Sequence, residues 1–102
     1  MERRLDLQRE LCEVLGSNNV YFQPPPSITL KYPCIVYSLD RIQSTRANNS
    51  IYKADRKYSI TVIDRNPDSE IPKRILASFR MCEFETAYTA ENLNHFHFSI
   101  FY

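Results

Sequence analysis

Along the first fifteen positions the apolar residues recur at helical spacing. Leu7, Leu11, Val14 and Leu15 form one stripe, with Leu5 and Cys12 flanking it. The stripe predicts a helix over residues 3–15, with Gly16 in the place that commonly closes one. Arg3 and Arg4 stand at the positive end of that helix dipole, against its preference; they read first as solvated side chains, with a partner elsewhere as the alternative. From residue 34 the period changes to two. Ile35, Tyr37 and Leu39 alternate with Cys34, Val36 and Ser38, both sets largely apolar, which predicts an interior strand. Residues 58–63 set Tyr58, Ile60 and Val62 against Ser59, Thr61 and Ile63, a strand with one more polar face. The tract between the two strands, "RIQSTRANNSIYKADRK", is polar and holds no glycine. Hairpins usually close over roughly two to five residues, so the tract predicts a long loop, with residues 43–56 as its body.

In "NPDSEIPKRILASF" the helical period returns, with Ile71, Ile75 and Phe79 in line and Leu76 beside them. Asp68 or Ser69 suits the N-cap, and Pro72 falls in the first turn, where a missing N–H is tolerated. "CEFETAY" and "HFHFSIFY" then alternate as two further strands, joined by "TAENLN" as a hairpin loop. Strict alternation puts Phe84 and Tyr88 on one side of the former, and Phe96, Phe98, Ile100 and Tyr102 on one side of the latter. The segment "SNNVYFQPPPSITLKYP" reads as a stiff, proline-fixed connector with an apolar anchor. The fold class is therefore α+β: a four-stranded antiparallel or mixed sheet, two helices packed on one face, and a long loop between the first two strands. Leu11, Leu15, Ile35, Tyr37, Ile60, Val62, Ile75, Phe79, Phe96 and Phe98 are the expected core.

The length of 102 residues supports one domain. A net charge of +1 gives no global basic bias toward nucleic acid or a membrane surface, and no apolar run nears the ~20 residues that span a bilayer. The first fifteen residues lack the apolar core of a signal peptide. Cys12, Cys34 and Cys82 are odd in number and lie in apolar patterns, so they are expected to be reduced and buried in a protein made in the cytoplasm.

Little points to catalysis. A phosphate-cradling loop needs several glycines and the chain has one; no Ser or Cys stands in a nucleophile motif, and Asp40, Asp55 and Asp64 are not spaced as an acid–base or metal cluster. His95 and His97 share a strand face, and Cys82 on the neighbouring strand is a conceivable third metal ligand, but a polar outer face explains the pair better. No metal, cofactor or catalytic residue is expected. Arg41, Arg46, Lys53, Arg56 and Lys57, with Tyr52 and Tyr58 interleaved, leave open a small nucleic-acid-binding module that uses residues 41–57.

Three stretches, "VYFQPPPSITLKYPCIVYSLD", "YSITVIDRNPDSEIP" and "AENLNHFHFSIFY", resemble the small tail-completion, or tail-terminator, proteins of tailed bacteriophages and prophages. The similarity runs from about Leu7 to Tyr102, and its specific parts are "YPCIVY", "TVIDRNPDSEIP" and "NLNHF". The predicted element order resembles that fold too, long loop included. The resemblance implies a structural virion protein, without catalysis, that assembles with itself into a ring, most often a hexamer. Such a ring caps the tail tube and joins it to the neck of the filled head, and DNA passes through without sequence-specific binding. The partners implied are the tail tube protein and a neck, head-completion or connector protein, with no membrane. A head-side neck ring is the nearest alternative. On this reading Arg46, Asn48, Asn49, Lys53 and Arg56 belong to the assembly loop that lines the ring.

Overall fold

The computed structural model describes residues 3–47 and 50–102, and of residues 3, 43–47 and 50–55 the backbone alone. Two helices and five strands follow in the order α1 (Arg3–Leu15), β1 (Val20–Phe22), β2 (Cys34–Ala47), β3 (Ser50–Asp64), α2 (Ile71–Ser78), β4 (Cys82–Ala90) and β5 (Leu93–Phe101). The fold is α+β, and the strands form one mixed sheet ordered β1-β2-β3-β5-β4.

Both helices cover the same face. Leu7, Leu11 and Leu15 from α1, and Ile71 and Ile75 from α2 with Phe79 just beyond it, join Ile35, Tyr37, Tyr58, Ile60, Val62, Phe98 and Ile100 in one buried cluster. Nine of the ten expected core residues are buried; Phe96 is half-buried and packs against the cluster. Gly16 closes α1 at φ +83°, its N–H donating to the Cys12 carbonyl at 2.8 Å. Nothing lies within 4 Å of where its Cβ would be, so the need for glycine is conformational, not steric. Arg4 is not simply solvated: its guanidinium lies over the Phe22 ring, 4.7 Å from the centroid. The first turn of α2 has Glu70 at the N-cap, while the Ser69 hydroxyl accepts the Ile71 N–H at 3.3 Å.

Three features depart from the sequence expectation. The first is a fifth strand. Val20, Tyr21 and Phe22 pair in parallel with Ile35, Val36 and Tyr37, so the proline-rich segment links two parallel strands instead of a helix and a sheet. Three residues are too few for periodicity to reveal; β1 is held by backbone bonds at both ends, Ile35 N to Asn19 O (3.0 Å) and Gln23 N to Tyr37 O (2.9 Å). Gln8 fastens it to α1 by donating to the Val20 carbonyl at 3.1 Å while accepting from the Tyr37 hydroxyl.

The second concerns the long loop. Strands β2 and β3 continue through the polar tract to Ala47 and from Ser50, so residues 43–47 and 50–56 are strand, all of them paired except Tyr52 at a register slip. The third is a bulge. The β4–β5 register slips between Phe84 and Thr86, leaving Glu85 as an extra residue. A one-residue insertion moves everything beyond it to the other face. Phe84 thus meets the core edge-on at Phe98 (5.3 Å), whereas Tyr88 lies on the opposite face, stacked on His95 at 4.7 Å. Phe84 and Tyr88 do not share a side. The β4–β5 turn is also tighter than expected, with Glu91 and Asn92 both at positive φ between Ala90 and Leu93.

Phe98, fully buried at the centre of the cluster, tests the assignment of faces. Phe98→Ala should cost ~3–5 kcal/mol in chemical denaturation; a change within about 1 kcal/mol would show that this side chain is not in the core.

Candidate functional site

The molecule measures 51 × 26 × 23 Å, much longer than it is wide. The sheet's two central strands account for this. Strand β1 meets β2 only at residues 35–37, and β5 meets β3 only from Lys57 to Asp64. From the Ile42–Arg56 pair outward the ladder has two strands alone, and its six residue pairs extend roughly 20 Å at ~3.3 Å each. This two-stranded arm is the candidate functional element.

Its root is fixed from several directions. Asp40 is an extra residue in β2 where the register slips, and its carboxylate lies 3.4 Å from Lys57 Nζ. Tyr102 N donates to the Arg56 carbonyl at 2.9 Å. The Tyr102 hydroxyl donates to the Glu10 carboxylate on α1, and its ring stands edge-on to Phe79 at 6.5 Å. The last residue of the chain therefore ties the arm's root to α1 and to the end of α2.

Among the residues expected in an assembly loop, Arg46 pairs with Ile51 and Lys53 with Thr45, both in strand instead of loop. Arg56 pairs with Ile42 and is half-buried at the root. Asn48 and Asn49 lie outside the described residues. Arg41 is opposite Lys57. Alternation places Ile42 and Leu39 on the helix side of the sheet, and Arg41 and Lys57 on the open side. Tyr58, read from sequence as one of the tyrosines interleaved with the basic residues, is instead a core residue, 1% exposed. It offers no stacking platform to a nucleic acid.

The face without helices carries the histidines. The two ring nitrogens of His97 lie 3.1 Å from the Ser59 and Thr61 hydroxyls, and His95 Nδ1–H donates to the Leu93 carbonyl at 3.2 Å. The Ser99 hydroxyl donates to Glu85. Cys82 pairs with Ile100, whose side chain is in the helix-side core, so the thiol is on the other face from both imidazoles. The three do not converge. Among the described residues no three His, Cys, Asp or Glu side chains form a metal-holding group, and no helix is long and apolar enough to cross a membrane.

A second surface went unremarked in the sequence: the outer edge at β4. It is nine residues long, nearly all exposed, and it bears Glu83 and Glu85, with Phe84 half-exposed on the helix side. Met81 precedes it, 55% exposed. The signal lay in the run from Cys82 to Tyr102, which contains three glutamates and no Lys or Arg.

Compared with known proteins, the sequence matches no family model and no curated protein.

Three weak acids set a pH response: Cys34, buried at the start of β2, and Cys82 and Tyr102, both half-buried, while Cys12, like Cys82, is less buried than its apolar pattern predicts. Burial pushes the Cys34 thiol up to about 11 from 9.0. Burial, helped by Glu83, does the same to Cys82. Burial first, and then the hydrogen bond to Glu10, raise the Tyr102 phenol to about 12 from 10.0. Each group holds a proton in the folded chain that the unfolded chain has already released, so stability is intact below pH 9 and falls as pH rises through 11. Denaturation midpoints should be level near neutrality and decline steadily above pH 9. Maleimide at neutral pH should leave Cys34 unlabelled in the native protein and modify it on unfolding; rapid native labelling would contradict its burial.

Proposed function

We propose that this chain is a structural assembly protein of a tailed bacteriophage: a tail-terminator subunit that forms a ring, most simply a hexamer, capping the tail tube and joining it to the neck. The observation that carries the reading is the two-stranded arm, considered together with the resemblance of "YPCIVY", "TVIDRNPDSEIP" and "NLNHF". An isolated two-stranded ribbon is at best marginally stable in water. Ordering its backbone costs ~1–2 kcal/mol per residue, and the arm's composition offers few apolar side chains to offset that. A protein that invests about a seventh of its length in such a ribbon gains from it only through another molecule. A ring neighbour, the tube end and the neck protein are the partners this role provides.

A rigid body with a projecting ribbon also suits a protein whose work is contact, not turnover. In a ring each subunit presents one surface to a different surface of its neighbour. The body supplies the fixed frame and the arm the reach. Arg46, Lys53 and Arg56 then serve assembly or border the passage for DNA, in keeping with the guanidinium's fit to carboxylate and phosphate.

The register defines a clean deletion. Replacing residues 43–55 by Asn-Gly leaves the Ile42–Arg56 pair flanking a two-residue hairpin. The variant should fold, with a melting temperature within a few degrees of wild type, because the core is untouched. Supplied to an infection in place of wild type, it should yield filled heads unjoined to tails, or tails of uncontrolled length. Normal titres of infectious phage would show that the arm is a passive connection and remove the support for this role.

A further inference from the structure

We infer that the β2–β3 arm of one copy docks along the β4 edge of the next, as a strand added to its sheet, in a head-to-tail contact; the inference rests on the ring reading and names its surfaces. The first ground is charge. From Asp40 to Lys57 the chain carries five Lys or Arg against two Asp, while from Cys82 to Tyr102 it carries three Glu and no cation. A chain of net charge +1 thus separates into a basic hairpin and an acidic one.

The second ground is the edge itself. Strand β4 ends the sheet, so one row of its backbone N–H and C=O groups has no partner strand in the chain, and over nine residues that is a template for strand addition. The opposite edge, β1, is three residues long. Among the described residues the arm likewise has no third strand on either side beyond the Ile42–Arg56 pair.

The third ground is the match of faces when the two are joined. Side chains alternate across a continuous sheet, so helix-side residues of the arm adjoin helix-side residues of β4. On that side stand Ile42 and Leu39 of the arm's root, 60% and 38% exposed, and Phe84 of β4, 49% exposed. On the open side stands Arg41, facing Glu83 across the junction, with Glu85 bulged beside it. With a single orientation of the strand Ile42 and Leu39 meet Phe84 while Arg41 meets Glu83; Arg56, opposite Ile42, is half-buried at the root. Two β4 edges brought together would instead oppose glutamates, so the same charges that accept the arm reject an edge-to-edge pair. Within one chain β5 lies between β3 and β4, so the contact joins different copies. Arm and edge are distinct surfaces, which makes the contact heterologous and allows a ring to close.

Charge exchange between surfaces tests this in solution. One variant reverses the edge (Glu83→Lys with Glu91→Lys, leaving the Glu85–Ser99 bond intact); another reverses the arm (Arg41→Glu with Lys53→Glu). Light scattering after size exclusion gives the mass of each, and circular dichroism checks its fold. Wild type should assemble at low salt and dissociate as salt rises. Each variant alone should be monomeric at concentrations where wild type is not. Their equimolar mixture should assemble, since each then offers the surface the other needs, and a chain carrying both reversals should assemble by itself. A wild type that stays monomeric at every concentration and salt, or variants that associate as wild type does, would overturn the contact. So would loss of bound DNA in the arm variant with association unchanged, which would assign the arm to nucleic acid. The ring reading is judged separately, by tail length and head joining with the arm-deleted protein, so either can fail without the other.

Discussion

The structure is indexed to one strand. From Lys57 to Ile63, β3 is paired on both edges, with β2 on one side and β5 on the other, and every other element takes its face from that double ladder. Ile60 and Val62 point to the helices, so Tyr37, Ile35, Phe98 and Phe96 must as well, and α1 and α2 have a surface to cover. Ser59 and Thr61 point away, so His97 lands between their hydroxyls, and the open face becomes a belt of hydroxyls and imidazoles. Because the side-chain period is two, a slip of one residue anywhere along β3 would turn the core outward. The register is therefore the constraint from which both the packed body and the arm follow. The outer parts of the fold are where slips occur, at Asp40, near Arg46 and at Glu85, and none of them disturbs the centre.

Periodicity exposed the body because the body is where burial enforces it. The stripe from Leu7 to Leu15, the alternation through Ile35 and Tyr37, and the Ile71–Ile75–Phe79 line each report one face against a dry core, and each was legible in the sequence. Where burial does not act, the signal is lost. Strand β1 is three residues long and defined by backbone bonds to Asn19 and Gln23. The arm is polar on both faces, so nothing in its composition separates a ribbon from a loop. The clue available was Asn48-Asn49, midway between the two apolar runs. Asparagine enters the left-handed region more readily than other non-glycine residues, and counting outward from that pair aligns Ala47 with Ser50 and then Ile35 with Val62 once the two slips are allowed for. The bulge at Glu85 had no sequence signal, and for that reason Tyr88 was placed on the wrong side of β4.

The basic residues could be found by reading; their arrangement could not. Arg41, Arg46, Lys53, Arg56 and Lys57 stand out in the sequence, but only the register shows that they straddle a ladder and that Tyr58 beside them is sealed in the core. Cys82, adjacent to the histidine strand, looked like a partner for His95 and His97 until the pairing with Ile100 assigned it to the other face. The acidic edge had no motif at all. It is visible only as an absence of Lys and Arg over the last twenty-one residues, and it gains meaning once β4 is known to be the outermost strand.

Exposed edges and unsupported ribbons are usually liabilities, prone to indiscriminate pairing. Here the two occur in one small protein and carry opposite charge, which changes the balance. Glutamates along β4 disfavour its pairing with another β4, and the cations of the arm disfavour pairing of two arms, so both symmetric associations are opposed by the same charges. The asymmetric association alone relieves both repulsions and supplies each unpaired row of backbone groups with a partner. In the proposed contact, strength would depend on ionic strength, and geometry on the Glu85 and Asp40 bulges, which limit how far a strand can slide along the edge. A contact of this kind is directional by construction. Repeated from copy to copy it either closes or extends without end, and the angle between arm and sheet decides which.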